Sequence, residues 1–594
     1  MAGNTQDHVA EQASGSAPSA GKRLTPAGED APRSARPRRA SKPNGQWKVD
    51  GTDPMNHNEE FKQEDNGLNV RERIESRYAR EGFDAISDDD LHGRFRWWGL
   101  YTQRKPGIDG GRTATLEARE LEDRYFMMRV RMDGGRLSLE QLRTVAGISE
   151  EFGRGTADIT DRQNIQLHWI DVRDVPEIWR RLESVGLSTT EACGDVSRVI
   201  LGSPLAGVAE EELLDPTPVI DEIKERFIGD PELSNLPRKF KTAVTGHPSQ
   251  DVVHEINDIS LVGVEHPEHG AGFDLWVGGG LSTNPRLAER LGAFVRPDQA
   301  PDVWHGVIRI FRDYGYRRLR NRARLKFLLA EWGPEKFRQV LQDEYLGYEL
   351  ADGPEPAKPT VTGDHVGVHR QKDGRYYVGL SPVVGRVSGS VLRELADLME
   401  AAGSGRLRTT PYQKIVVLDV PEDRVEELVA GAEHLGLTAR PSLFRKDTMA
   451  CTGIEFCKLA IVETKATAKD TIDELEDRLA DVAERLPGQL TLTINGCPNS
   501  CARIQTADIG LKGQIIADGE GGQTPGFQVH LGGGLADHTN QAQGELGRTV
   551  RGLKVPADGI AEYVERLVRT YLDRREEDET FAHWAKNAEE EALV

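Results

Sequence analysis

Four of the five cysteines fall into two pairs, Cys451 and Cys457 with five residues between them, then Cys497 and Cys501 with three, the pairs being 39 residues apart. Glycines at 453 and 496 and Pro498 sit among them. Four thiolates suit either a [4Fe–4S] cluster or a zinc ion. Structural zinc habitually uses pairs two to four residues apart, and the longer first gap falls outside that habit. Spacing alone leaves a cluster, zinc and unrelated buried cysteines open. Five cysteines are too few for a disulfide scaffold in 594 residues, so each thiol is available for metal or catalysis.

A second group of residues suits anions. In PRKFK, Lys239 and Lys241 are two apart, which on a strand sends both ammonium groups to one face. Arg129 in FMMRVRM and Arg198 in CGDVSR add forked donors. In RQNIQLH, Arg162, Asn164, Gln166 and His168 share one strand face, while Ile165 and Leu167 share the other. That polar face must line something polar. Taken alone, Lys239 and Lys241 also fit a solvated strand face, His168 a satisfied structural histidine, and Asn499 the stabiliser of a turn.

CTGIEFCKLA from Cys451 and NGCPNSCARIQTADIGLKG from Asn495 resemble the two signature segments of the siroheme- and [4Fe–4S]-containing nitrite and sulfite reductase family, and the likeness runs from about residue 90 to 580. The resemblance is to its ferredoxin-dependent sulfite-reducing members in particular. It implies a [4Fe–4S] cluster on Cys451, Cys457, Cys497 and Cys501, with Cys501 also the axial ligand of siroheme iron. It implies an oxyanion pocket of Arg129, Arg198, Lys239 and Lys241, and siroheme contacts from Arg162 and Gln166, with His168 and Asn499 as further candidates. Some members carry a tyrosine–cysteine thioether beside the siroheme, and Tyr101 in RWWGLYTQR and the fifth cysteine, Cys193, stand in matching segments. Cys193 by itself reads as a small buried hydrophobe.

These residues must be positioned by a duplicated fold. TDRQNIQLHWI from Thr160 and TPYQKIVVLDV from Thr410 are offset by 250, and the same offset pairs Gly246 with Gly496, Pro248 with Pro498 and Asp258 with Asp508. It also pairs His247 with Cys497 and Asp251 with Cys501, so one half alone keeps the thiolates. Ala192-Cys193-Gly194 faintly echoes Ala450-Cys451-Thr452. Strands are expected at Phe126–Met132 and Tyr376–Ser381, helices at Leu139–Gly153 and Ser390–Ala402. The expected class is α+β, an internally duplicated, pseudo-twofold, three-domain architecture with ferredoxin-like half-repeats. Residues 66–195 pair with 363–445 as one domain, 196–350 carry the basic pocket, 351–362 (ADGPEPAKPTVT) form a linker, and 446–594 carry the cysteines.

Residues 1–65, poor in large apolar side chains, read as a disordered tail. Their start lacks an apolar signal core, and Asp7, Glu11, Glu29 and Asp30 weaken a transit-peptide reading. A cytoplasmic monomer is expected, without a membrane span. The net charge of -21 argues against nucleic acid. GGGL at Gly278 and Gly532 lacks the dinucleotide-binding form, so electrons must come from outside, from reduced ferredoxin. The cationic run Arg317, Arg318, Arg320, Arg322, Arg324 and Lys326 is a candidate docking face for such an acidic carrier, or a source of inward-pointing cofactor contacts. Six-electron reduction of sulfite to sulfide leads. Nitrite reduction to ammonia and a non-catalytic zinc or iron–sulfur module are the alternatives.

Overall fold

The computed structural model describes residues 42–360, 362–486, 488–536 and 544–594. In β2 (Glu122–Val130), Phe126, Met128 and Val130 are buried while Met127 and Arg129 point the other way, the period of two that lays one strand face on a core. Strands β1 (Leu100–Arg104), β2, β5 (Ile165–Ile170) and β4 (Thr156–Ile159) form a sheet whose fifth strand, β13 (Arg386–Ser388), comes from the other half. The reciprocal sheet runs β11 (Gly367–Arg370), β12 (Tyr376–Leu380), β15 (Ile415–Val420), β14 (Arg406–Thr409), and closes on β3 (Arg136–Ser138) of the first half. Arg386 pairs with Asp158 and Arg406 with Ser138. This exchange of short strands gives the two halves one shared core, reaching from Phe61 to Ala439. The helices following the exchanged strands, Leu139–Phe152 and Gly389–Ala401, begin at Ser138 and Ser388, whose side chains accept from Gln141 and Val391 backbone N–H groups.

Each half then supplies one five-stranded sheet. The first is β6 (Ser197–Gly202), β7 (Phe240–Thr245), β8 (Ile259–His266), β9 (Gly270–Val277) and β10 (Glu289–Val295). The second is β16 (Thr448–Ala450), β17 (Leu492–Asn495), β18 (Ile509–Ala517), β19 (Gln523–Leu531) and β20 (Arg548–Pro556). In both, the first three strands are parallel and the last two antiparallel. The duplication extends to the backbone: Gln163, Trp169, Gln250 and Val253 have positive φ, and so do Gln413, Asp419, Ser500 and Arg503, each 250 residues on.

The expected tail is corrected over residues 42–65. Residues 1–41 lie outside the described residues, but helices Trp47–Asp50 and His57–Glu64 pack on the body. Composition misleads here because this segment is held by buried charge: Lys62 Nζ lies 2.7 Å from Glu59 and 3.5 Å from Asp195, and Arg317 bonds Glu59 at 2.8 Å while stacking on Trp47. Between Ala351 and Thr360 the chain is extended, strapped by Arg290 to Pro354 O (2.9 Å) and by Gln250 to Ala357 O (2.8 Å). Among the described residues no helix is long and apolar enough to cross a membrane.

Candidate active site

The cysteines occupy the loops that leave the carboxyl ends of two adjacent parallel strands. Ala450, the last residue of β16, pairs with Ile494 in β17, so Cys451 and the 496–501 turn emerge side by side. Ile461 N–H donates to Gly496 O (2.7 Å), locking the loops together, and Gly496 N–H points at Cys451 Sγ (3.2 Å). Gly453 has φ +71, and a Cβ there would meet Thr464 Oγ1 at 2.4 Å, so only glycine fits the turn between the first two cysteines. Cys497 is buried, Cys451 and Cys457 are half-buried, and Cys501 is exposed. Burial, together with the neighbouring Cys501, pushes the Cys451 thiol up to about 12, and Cys457 and Cys497 shift the same way. Burial outweighs the neighbouring Lys458, so these sulfurs become thiolates by exchanging protons for metal.

Their spread discriminates between metals. A tetrahedral zinc holds its sulfurs about 3.8 Å apart. Among the described residues, the one group of three or more ligand-type side chains with its donor atoms within 4.8 Å of one another does not include these cysteines. As placed, these sulfurs do not form the compact set that a single tetrahedral zinc requires.

The first half faces this loop with its polar strand. Gln166 on β5 donates to Thr452 Oγ1 (3.3 Å), next to Cys451, and accepts from Arg129 Nη2 (2.5 Å). Arg129 Nη1 also reaches Cys193 Sγ at 3.3 Å. Arg198 is fixed by Gly194 O (2.9 Å), hydrogen-bonds Tyr101 and feels the charge of Cys193. Arg162 bonds Asn257 (2.9 Å) and Val199 O (2.6 Å). Lys239 and Lys241 are half-buried and, among the described residues, have no carboxylate within ion-pair distance. Burial and the neighbouring Arg162 pull Lys241 down to about 7, while burial and Lys241 lower Lys239, which also feels Cys501. Burial lowers Arg162 to about 9. Cations held together below their ordinary values are a wall awaiting anionic charge.

Sequence reasoning missed part of this wall. Arg238 is lowered to about 10 by burial and Arg320, and Arg96 is lowered mainly by burial. Asp195 draws Arg320 (3.0 Å) and Lys62 to the back of the pocket. It also missed Arg104, whose guanidinium bonds Ala460 O (3.3 Å) while its backbone N–H donates to Phe456 O (2.8 Å), so β1 braces the cysteine loop. Two expectations are corrected. His168 is fully buried, bonds Asp158 (3.1 Å) and stacks on Phe456 at 3.8 Å, so it props the cysteine loop from behind instead of joining the cations. The run from Arg317 to Lys326 is not a free docking face: Arg317, Arg320 and Arg324 are bound to Glu59, Asp195 and Asp258, and Lys326 to the carbonyls of Gly280 and Leu281, leaving Arg322 exposed. Asn499 is exposed, with its backbone N–H directed at Cys497. Register corrects the Cys193 echo as well: Gly202 pairs with Val244 as Ala450 pairs with Ile494, which makes Ser203 the counterpart of Cys451.

The nitrite and sulphite reductase 4Fe-4S domain model matches residues 193–350 and 445–592, and the nitrite/sulfite reductase ferredoxin-like half domain model matches 119–185 and 369–435. The chain belongs to the nitrite and sulphite reductase family. A protein of Mycobacterium tuberculosis named sulfite reductase [ferredoxin] is 56% identical over 94% of this chain and 99% of its own length. An assimilatory ferredoxin-dependent nitrite reductase of Haloferax mediterranei is 37% identical over 89% of this chain and 91% of its own. The solved structure of the Mycobacterium tuberculosis NirA protein superposes with a TM-score of 0.90 at 56% identity, covering 93% of this chain and 100% of that one. The cofactors of the nitrite and sulphite reductase family are siroheme and a [4Fe–4S] cluster. The thiol set and the unbalanced cations fit both.

Proposed function

We propose that the chain is a ferredoxin-dependent sulfite reductase, carrying out the six-electron reduction of sulfite to sulfide. The observation carrying this reading is the gradient of likeness: relatives named sulfite reductase [ferredoxin] are 56% and 57% identical over nearly the whole chain, whereas nitrite reductases of Haloferax mediterranei, Synechococcus elongatus and Leptolyngbya laminosa are 37%, 34% and 33% identical.

In this reading Cys451, Cys457, Cys497 and Cys501 would hold the cluster, and Cys501, the exposed thiol, would also be the residue that holds siroheme iron. When bound, siroheme and the cluster would supply the redox chemistry for the reduction. Arg162 and Gln166 hold siroheme carboxylates, with Asn499 at its edge, while His168, Arg104 and Phe456 hold the cysteine loop in place. Arg129, Arg198, Lys239 and Lys241 bind the sulfite oxygens. As those oxygens leave as water, protons must arrive at the same place, and Lys241, titrating near neutrality, is suited to deliver them. Residues 66–195 with 363–445 act as the supporting domain, 196–350 supply the cations, and 446–594 the thiolates. Reduced ferredoxin is the external donor, and the setting is the assimilatory chemistry of the cytoplasm. Tyr101 and Cys193, both felt by Arg198, form a thioether when a two-electron oxidant removes one hydrogen from each. Intact mass of the denatured protein, lower by two hydrogens, checks that link.

Steady-state rates with reduced ferredoxin test the substrate. The expected outcome is a higher kcat/KM for sulfite than for nitrite. A large preference for nitrite overturns the reading and assigns the same residues to ammonia formation.

A further inference from the structure

The loops that match the cysteine loops in the first half are not inert. Ser203 stands where Cys451 stands by strand register, and His247 and Asp251 where Cys497 and Cys501 stand by the 250-residue offset. His365, arriving from the connector just before β11, completes a group with them. One ligand-type atom from each of His247, Asp251 and His365 lies within 4.8 Å of the others, and all three side chains are buried.

Their hydrogen bonds are those of a ligand set. Asp251 is aimed by Thr245 Oγ1 (2.8 Å) and Ser203 Oγ (2.7 Å), and His365 Nε2 lies 2.8 Å from Asp251 Oδ2. Nδ1 of His247 lies 2.7 Å from Ser249 Oγ and accepts from Ser249 N–H at 3.2 Å. In that tautomer the buried Nε2–H has no hydrogen bond of good geometry, and Glu211 Oε1 lies 3.3 Å from it. The opposite tautomer, with Nδ1–H donating to Ser249 Oγ in place of the bond from Ser249 N–H, leaves Nε2 with a free lone pair, as in second-shell-oriented metal histidines.

We propose that His247, Asp251 and His365 bind a single borderline divalent cation, zinc in class, with Glu211 as the fourth ligand. Two imidazoles and two carboxylates match the nitrogen and oxygen preference of zinc, whereas the thiolates of the other half match iron–sulfur. Tetrahedral zinc needs neighbouring donors about 3.3 Å apart, so the pair now bridged by a proton at 2.8 Å opens by about half an ångström as the cation replaces that proton. The site clips the connector to the carboxyl ends of β6 and β7. It serves as a structural tie and takes no part in electron transfer.

The test is elemental analysis of the untagged holoenzyme, loaded with zinc and dialysed against a weak chelator, with iron measured in parallel. The expected result is about one zinc per chain, bound through nitrogen and oxygen in the zinc-edge absorption spectrum. His247→Ala and His365→Ala should lower zinc at least tenfold at unchanged iron. Glu211→Gln, at a side chain 56% exposed and therefore safe for folding, should weaken retention severalfold. Zinc below about a tenth per chain in the wild type, or a sulfur shell around the zinc, overturns the proposal.

Discussion

The loops after β16 and β17 and those after β6 and β7 leave the same place in the same sheet topology, yet carry opposite chemistry. One pair presents thiols; the other presents Ser203, His247 and Asp251. The facing strands diverge equally. β5 shows Gln166 and its neighbouring cations to an open site, whereas its counterpart β15 shows Val416 and Leu418, which are covered by Leu205, Val208 and Ala209. Strand register and left-handed turn positions are thus kept while the side chains they aim are exchanged. One half offers thiols, the other offers cations, and the proposed reduction site lies where they meet.

The largest expected effect comes from removing a thiol on the retained side. Cys501→Ser should lower sulfide formation about a thousandfold or more and cost the iron–sulfur absorbance, whereas Ser203→Ala at the position matching Cys451 should leave both unchanged. Next comes the cationic side: Arg129→Ala should reduce kcat/KM for sulfite about a hundredfold while iron content holds, seen in steady-state rates at fixed ferredoxin. On the filled side, Leu205→Ala should cost about 2–5 kcal/mol of stability by chemical denaturation, without altering the KM for sulfite.

The smallest effect is in pH. Lys241 sits near 7 because burial and Arg162 disfavour its charge, and its protonated form is the one that holds an anion. Sulfite affinity should therefore fall as pH rises through about 7, and Lys241→Gln should flatten that slope in KM measurements. The stability of the cofactor-free chain should move the opposite way. Its unfolded form binds the extra proton up to the ordinary 10.5, so stability grows as pH rises from about 7.

The duplication was readable in the sequence because a constant offset survives at turn positions such as Gln163 and Gln413 that backbone geometry constrains. The cysteine set was readable for the same reason: its glycines are required by packing against Thr464 and Ala460. The bounds near Tyr376, Leu139 and Ser390 were legible from periodicity to within a residue, whereas the strand expected from Phe126 begins four residues earlier, at Glu122. The exchange of β3 and β13 was not, since three-residue strands carry no period. Residues 46–65 were misread because Glu59 and Lys62 are paired in the interior, where composition counts them as solvent-loving. Arg317, Arg320 and Arg324 looked like a surface for the converse reason, the acids of the first two lying more than a hundred residues away in the chain and that of Arg324 at Asp258.

The account turns on the two halves forming one site. Its most direct test is sulfide production with reduced ferredoxin by a Lys239→Gln, Lys241→Gln double variant, alongside the electron paramagnetic resonance signal of its reduced cluster. The account predicts an intact cluster signal with a rate down by about a hundredfold or more. An undiminished rate would contradict it, because the cations of the first half would then have no part in the chemistry of the second.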